Sequence, residues 1–310
     1  MSWKAVGRLR ASREPASRNR REAARELADP FSHPSTRALL RAALAEDVGH
    51  GDVTTQATVP PGLAGKARLV ARERAIVAGL PLVALVYAEL GDEASAPKVG
   101  LLAADGDRTA RGTALAEIAG PVATILTGER VMLNLVQHLS AVATLTRRFV
   151  DAAAGTRAQI VDTRKTLPGL RLLEKYAVRV GGGRNHRFAL DDGVLIKDNH
   201  IAFAGGVRCA IERARERVPH TLRVEVECET LAQVREALEA GADAILLDNM
   251  SPKQVAAACR TIAGRALIEV SGGVKLENVR RLAESGADLI SVGAITHSAP
   301  AIDIGLDVAV

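Results

Sequence analysis

Six short apolar runs each end on residues that could do chemistry. Ala158 to Asp162 runs into Thr163-Arg164-Lys165-Thr166, and Gly193 to Ile196 runs into Lys197-Asp198-Asn199-His200. Leu222 to Val226 is followed by Glu227, Ala244 to Leu247 by Asp248-Asn249, Ala266 to Val270 by Ser271-Gly272-Gly273, and Leu289 to Val292 by Gly293-Ala294. Between the first two runs lies Gly181-Gly182-Gly183-Arg184-Asn185-His186-Arg187. If the runs are parallel strands, Arg164, Lys165, Arg187, Lys197 and His186 converge on one mouth, because ligands of such sheets lie outside the carboxyl ends of the strands. Cations so crowded repel each other unless anions neutralise them, so the expected ligands are polyanionic. Glycine lets a backbone approach phosphate closely, and the last two units are where barrel enzymes commonly hold phosphate. A tight turn is the other use of such a glycine pair. Glu227 and Asp248 suit ribose hydroxyls or a hydrated Mg²⁺, or else a salt bridge to a neighbouring arginine.

The elements that must carry these groups follow from periodicity. The later strand ends, Glu227, Asp248, Ser271 and Gly293, are 21, 23 and 22 residues apart, the length of one strand plus one helix. The phrases EAGADAILLDN and ESGADLISVGA repeat a helix end, a glycine turn and a buried strand. With six such units where a complete barrel has eight, the expectation is an α/β fold with an incomplete parallel barrel of the TIM type over residues 128–297. A doubly wound open sheet is the rival, although no G-x-G-x-x-G follows a strand. Residues 35–127 read as a smaller α/β sandwich domain, joined by 298–310. It has a helix over Thr36 to Ala45 and a Pro-initiated one over Leu80 to Leu90. Strand-like segments lie near Lys66 to Arg72, Ala75 to Ala78, Pro97 to Leu102 and Thr113 to Ile118. A long helix is expected from Glu129, just after Gly128, to about Ala153, with Val131, Leu135, Leu139, Val142 and Leu145 on one stripe.

Composition removes several function classes. The chain has 310 residues, 47% hydrophobic and 25% charged, an ordinary globular recipe. Its longest uncharged stretches, Ala75 to Ala88 and Val131 to Thr146, fall short of the ~20 apolar residues of a bilayer span. The net charge of +5 is concentrated: residues 1–30 carry eight basic side chains against four acidic, leaving +1 for the rest. With aromatics at 2%, nucleic acid is not an expected partner. Residues 1–34 read as an Arg-rich, disordered tail, and its acids count against a transit peptide. Cys209, Cys228 and Cys259 form no C-x-x-C pair, so packing in a reducing cytoplasm is expected.

The strings EDVGHGDVTT, RERAIVAG, TGERVMLNLVQHLS, DTRKTLPGLRLLEKYAVRVGGGRNHRFALDDGVLIKDNH, VEVECET, ADAILLDN, IEVSGGV and SVGAITHS resemble the quinolinate phosphoribosyltransferase family, from about Thr36 to the C-terminus. The resemblance implies an enzyme, a pentosyltransferase, that joins quinolinate to phosphoribosyl pyrophosphate with loss of CO₂, giving nicotinate mononucleotide for NAD synthesis. It also implies a homodimer with a shared active site. Quinolinate's carboxylates would meet Arg164, His186, Arg187 and Lys197, with Arg130 reaching in from the partner subunit. Lys165 would lie between a substrate carboxylate and pyrophosphate. Glu227 and Asp248 would face the ribose and Mg²⁺, so Lys165, Glu227 and Asp248 are the catalytic candidates. Ser271, Gly272, Gly273, Gly293, Ala294 and His297 would surround the 5′-phosphate. On their own, Arg130 reads as an exposed helix residue, His186 as a possible loop-orienting residue, and His138 and His200 as packed histidines. Glu46, Asp47 and Asp52 read as loop caps. The rivals are a same-family enzyme for another base (nicotinate, or a molybdenum-utilisation homologue) and a barrel aldolase using Lys165 or Lys197 as a Schiff base.

Overall fold

The computed structural model describes residues 29–91 and 96–309; most of the Arg-rich tail therefore lies outside the described residues. Within the described part of that tail, Pro30 and Phe31 are buried. Phe31 is buried edge-on against Tyr176 at 4.9 Å between ring centroids, and Thr36 Oγ1 donates to the Pro30 carbonyl at 2.6 Å. One large aromatic is enough to tether a chain that composition alone assigns to disorder.

The smaller layer is built around an antiparallel sheet in the order β12-β1-β5-β3, with β1 Ala64–Ala71, β3 Lys98–Leu101, β5 Ala114–Pro121 and β12 Ile304–Ala309. The last strand thus returns to the first, pairing Lys66 with Ala309 and Ala71 with Ile304. A two-stranded ribbon, β2 Ala75–Ile76 with β4 Arg108–Thr109, lies beside it. Helices α1 Pro34–Val48, α2 Val53–Thr58 and α3 Pro81–Leu90 complete the layer. Glu46 and Asp47 lie within α1, whereas Asp52 caps α2 by accepting from the Thr55 amide at 2.9 Å.

Helix α4, Val122–Ala152, starts seven residues earlier than the sequence suggests. Gly128 does not cap it but sits inside it. A Cβ there would stand 2.7 Å from Tyr87 Cε1 and 2.8 Å from Leu90 Cδ1, so the glycine lets α3 and α4 pack closely. The stripe of Val131, Leu135, Leu139 and Val142 is buried as its spacing requires.

The larger layer is a parallel sheet in the order β6-β11-β10-β9-β8-β7. Its strands are β6 Gln159–Val161, β7 Val194–Ile196, β8 Val224–Cys228, β9 Ala244–Asp248, β10 Leu267–Ser271 and β11 Leu289–Ser291. Because β11 pairs with β6, first and last strands are neighbours and the order is cyclic. Between β6 and β7 the wall is carried by a bridge of Val161 to Arg184, so the barrel is incomplete. Helices α5 Arg171–Val180, α6 Asp198–Ala204, α7 Val207–Arg217, α8 Leu231–Glu239, α9 Pro252–Ile262, α10 Leu276–Glu284 and α11 Ala294–His297 follow the strands. Thr230 with Gln233 and Ser251 with Gln254 form capping boxes that start α8 and α9 directly after the strand ends. The three cysteines are unpaired, and burial pushes the Cys228 thiol up to about 12.

Candidate active site

In a barrel wall, residues two apart on a strand face the same side. Lys197, Glu227, Asp248 and Ser271 stand at or just past the carboxyl ends of adjacent strands, with Ser271 in register with Asp248. Gly293 follows β11 and opens α11, of which Ala294 is the first residue. These groups form the rim. One pleat deeper, two residues earlier on β8 and β10, stand Glu225 and Glu269, both buried.

The cations of the rim are not equivalent. Lys197 Nζ lies 3.1 Å from Glu227 Oε2, so this ammonium already has an acid beside it. Arg164 and Arg187 have no carboxylate ion pair among the described residues. Burial, and next the like charge of Arg164, pull the Arg187 guanidinium below its ordinary value. Arg187 Nη1 donates to the Gly193 carbonyl at 2.8 Å, and Arg164 Nε is buried without any hydrogen-bond partner. Two adjacent guanidiniums, one with an unsatisfied buried donor, are the condition that an anion would relieve.

Behind these arginines lies a polar frame. The buried Lys175 donates to Asp162 and, at 3.0 Å, to the His186 carbonyl. Asp162 also accepts from Asn185 Nδ2 and, at 2.8 Å, from the His186 amide. Burial pushes the Asp162 carboxyl up and the Lys175 ammonium down, while their mutual attraction and these hydrogen bonds favour both charges. The frame fixes the Arg184–Arg187 segment. On the other side, the wholly buried Glu174 accepts from the Leu167 amide at 3.2 Å and bonds His138 Nε2 at 2.7 Å, bracing the loop after Lys165.

His186 is drawn into the barrel wall. Its Nε2 lies 3.1 Å from Glu225 Oε2 and 3.5 Å from Glu269 Oε2, and its Nδ1 accepts the Arg187 amide at 2.7 Å. Both ring nitrogens thus have partners inside the protein. His200 Nδ1 accepts from the Lys197 amide at 2.9 Å and caps α6.

The last two strand ends supply the glycines of the rim. Gly272 has φ +83° and Gly273 φ +58°, both left-handed. A Cβ on Gly272 would fall 2.3 Å from Asn249 Oδ1. Asn249, itself at φ 53°, donates to Asp248 Oδ2 at 2.6 Å and so orients that carboxylate. Gly293 faces Lys165 Cδ and His297 Nε2, at 3.1 and 3.2 Å from the Cβ position. Thr296 Oγ1 pins the Lys165 carbonyl at 2.7 Å. Lys165, Gly293 and His297 are thus brought together. Arg130 stands exposed on α4, without an ion pair among the described residues.

Sequence reasoning missed Glu225, Glu269, Lys175 and Asn249. The Glu-Val-Glu of β8 was a usable signal, because valines facing helices force both glutamates into the barrel.

An incomplete parallel barrel with adjacent guanidiniums and left-handed glycines at its carboxyl rim suits an enzyme of phosphorylated, anionic small molecules. The chain belongs to the quinolinate phosphoribosyltransferase family. The family's N-terminal domain matches residues 52–140 and its C-terminal domain residues 142–307. It is 46% identical over 277 residues to the nicotinate-nucleotide pyrophosphorylase [carboxylating] of Mycobacterium leprae, covering 88% of this chain and 97% of that one. It is 42% identical over 278 residues to a probable enzyme of the same name from Bacillus subtilis, covering 90% and 95%. The crystal structure of nicotinate-nucleotide pyrophosphorylase from Ehrlichia chaffeensis superposes with a TM-score of 0.84 at 40% identity, covering 88% and 98%.

Proposed function

We propose that the chain transfers the phosphoribosyl group of phosphoribosyl pyrophosphate to quinolinate and releases pyrophosphate and CO₂, giving nicotinate mononucleotide for NAD synthesis. The observation that carries the reading is the Arg164 and Arg187 pair, in ion-pair contact with no acid among the described residues and with a buried Arg164 donor left unpartnered, beside Lys165 and the left-handed glycines of the rim. A pyridine dicarboxylate supplies the missing charge, and guanidiniums recognise carboxylates in a planar, two-pronged manner. A base with one carboxylate leaves part of that charge unmatched, which disfavours nicotinate and other single-acid rings.

In this reading Arg164 and Arg187 hold the two carboxylates so that the ring nitrogen faces the anomeric carbon of the sugar. Ser271, Gly272, Gly273, Gly293, Ala294 and His297 anchor the 5′-phosphate. Lys165, whose carbonyl is pinned by Thr296, carries a positive charge to the leaving pyrophosphate. The ring nitrogen forms its bond to the anomeric carbon as the bond to pyrophosphate breaks and its electron pair departs with that oxygen. The nitrogen, now positive, accepts the electron density left when the adjacent carboxylate leaves as CO₂, and a proton from solvent replaces it. Holding and charge stabilisation supply the rate, without a protein nucleophile.

Glu227 and Asp248 fit Mg²⁺ by donor chemistry: two hard carboxylates on adjacent strands suit an ion that keeps several waters and binds phosphates. Bound there, it would neutralise charge on pyrophosphate. Asn249 would hold Asp248 in place, and Lys197 would keep Glu227 from swinging away. The reading includes a homodimer in which Arg130 of one subunit reaches the other's rim. Leu190 and Phe203, 72% and 92% exposed near the rim, supply apolar surface for such a cover. No helix of the described residues is long and apolar enough to cross a membrane, and a cytoplasmic home completes the proposal.

The test is turnover of the purified chain with phosphoribosyl pyrophosphate and Mg²⁺, quinolinate against nicotinate, following CO₂ release. Quinolinate should be the substrate by a wide margin. A preference for nicotinate, or a borohydride-trapped adduct on Lys165 or Lys197, overturns the reading.

A further inference from the structure

Beneath the rim, two carboxyls and an imidazole share one buried site that the proposed reaction does not use. Glu225 and Glu269 rise from β8 and β10 with β9 between them, and both meet His186 Nε2. Glu269 is 1% exposed and Glu225 8% exposed. We propose that His186, Glu225 and Glu269 act as one positioning unit that sets Arg187 against the pyridine dicarboxylate; this rests on the function proposed above.

The Arg187 amide donates to His186 Nδ1 at 2.7 Å, and Nε2 of the same ring lies 3.1 Å from Glu225 Oε2 and 3.5 Å from Glu269 Oε2. Two buried carboxyls, on strands separated by β9, thus hold one edge of the ring while its other edge holds the backbone of Arg187. Lys175 fixes the His186 carbonyl at 3.0 Å, so the residue is held on three sides. The chain of bonds runs from the barrel floor through the ring to the backbone that carries Arg187. It specifies where that guanidinium stands, which is what a substrate with two fixed carboxylates needs.

Steady-state kinetics of the full-length chain separate a positioning role from a merely structural one. Glu269→Leu should raise KM for quinolinate tenfold or more while leaving KM for phosphoribosyl pyrophosphate within about twofold. Glu269→Gln, of the same shape and still able to hydrogen-bond its neighbours, should restore KM for quinolinate to within about threefold of the parent. Where Glu269→Leu does not fold, Glu269→Asp decides: one methylene short of the ring, it should raise KM for quinolinate severalfold and leave KM for phosphoribosyl pyrophosphate within about twofold. Equal rises in both KM values, or a Gln variant as poor as the Leu or Asp variant, overturn the proposal. So does a divalent ion, detected by elemental analysis, that the Gln variant loses. A parent inactive with quinolinate sinks the function itself; an active parent with these failures sinks only the positioning unit.

Discussion

The two ends of the barrel use arginine in opposite ways. At the amino end of the strands, Arg157 meets Asp288 at 2.6 Å and Arg215 meets Asp243 at 3.0 Å, each an exposed pair that closes the wall. At the carboxyl end, Arg164 and Arg187 stand together with no ion pair among the described residues; Glu225 and Asp192 act on Arg187 only from a distance, and a buried donor of Arg164 is unused. Composition does not distinguish the ends; partners do. Where charge is spent on the protein it builds, and where it is left unspent it waits for a ligand.

The sharpest way to break that contrast is to remove one unspent guanidinium. Arg187→Ala should lower kcat/KM for quinolinate by about 10³, the size expected when two charge-assisted hydrogen bonds of about 2 kcal/mol each are lost. Thermal unfolding should move little, since Arg187 makes one backbone hydrogen bond in the protein. Turnover near that of the parent would mean that the rim charge serves the fold after all.

The frame behind the rim is spent charge of a third kind, buried rather than exposed. Lys175→Met leaves Asp162 in the interior without its cation, for which about 3–5 kcal/mol of destabilisation is expected, read by urea denaturation. Activity should fall with it, because Asp162 and Lys175 both hold the backbone of His186. A loss under 1 kcal/mol would show that Asn185 and the His186 amide satisfy Asp162 unaided.

The rim was legible in the sequence because parallel strands place their unusual residues at one end, and the barrel because the 21- to 23-residue spacing is strand plus helix. The six strands lie within two residues of the expected bounds. What stayed hidden is what depends on partners in space. The pairing of Lys197 with Glu227 joins residues thirty apart. The internal use of both His186 nitrogens needs Glu225 and Glu269 from separate strands. Gly128 looks like a helix signal in one dimension and is a packing contact in three. Asn249 shows only as the residue after an aspartate, although its left-handed backbone orients that aspartate.

A smaller change tests the phosphate side of the rim. Gly272→Ala forces a Cβ to within 2.3 Å of Asn249 Oδ1 at a backbone angle that L-residues avoid. Asn249 must then move, and with it Asp248. KM for phosphoribosyl pyrophosphate should rise by roughly tenfold, at a stability cost of about 1–3 kcal/mol, with KM for quinolinate affected less. Parallel rises in both would place the glycines in a shared scaffold instead of a phosphate pocket.

The smallest effect belongs to the other end of the barrel, and its smallness is the point. Arg157 and Asp288 form a short pair, but the arginine side chain is 59% exposed and water screens the attraction. Exposed pairs contribute about 0–1 kcal/mol. Arg157→Ala should therefore change urea stability by less than about 1 kcal/mol and leave both KM values within twofold. The same chemical deletion then costs about 10³ in kcat/KM at one end of the strands and almost nothing at the other. If Arg157→Ala instead impaired quinolinate turnover as Arg187→Ala does, the division between spent and unspent charge would fail, and the barrel would have to be read as one electrostatic field without a privileged end.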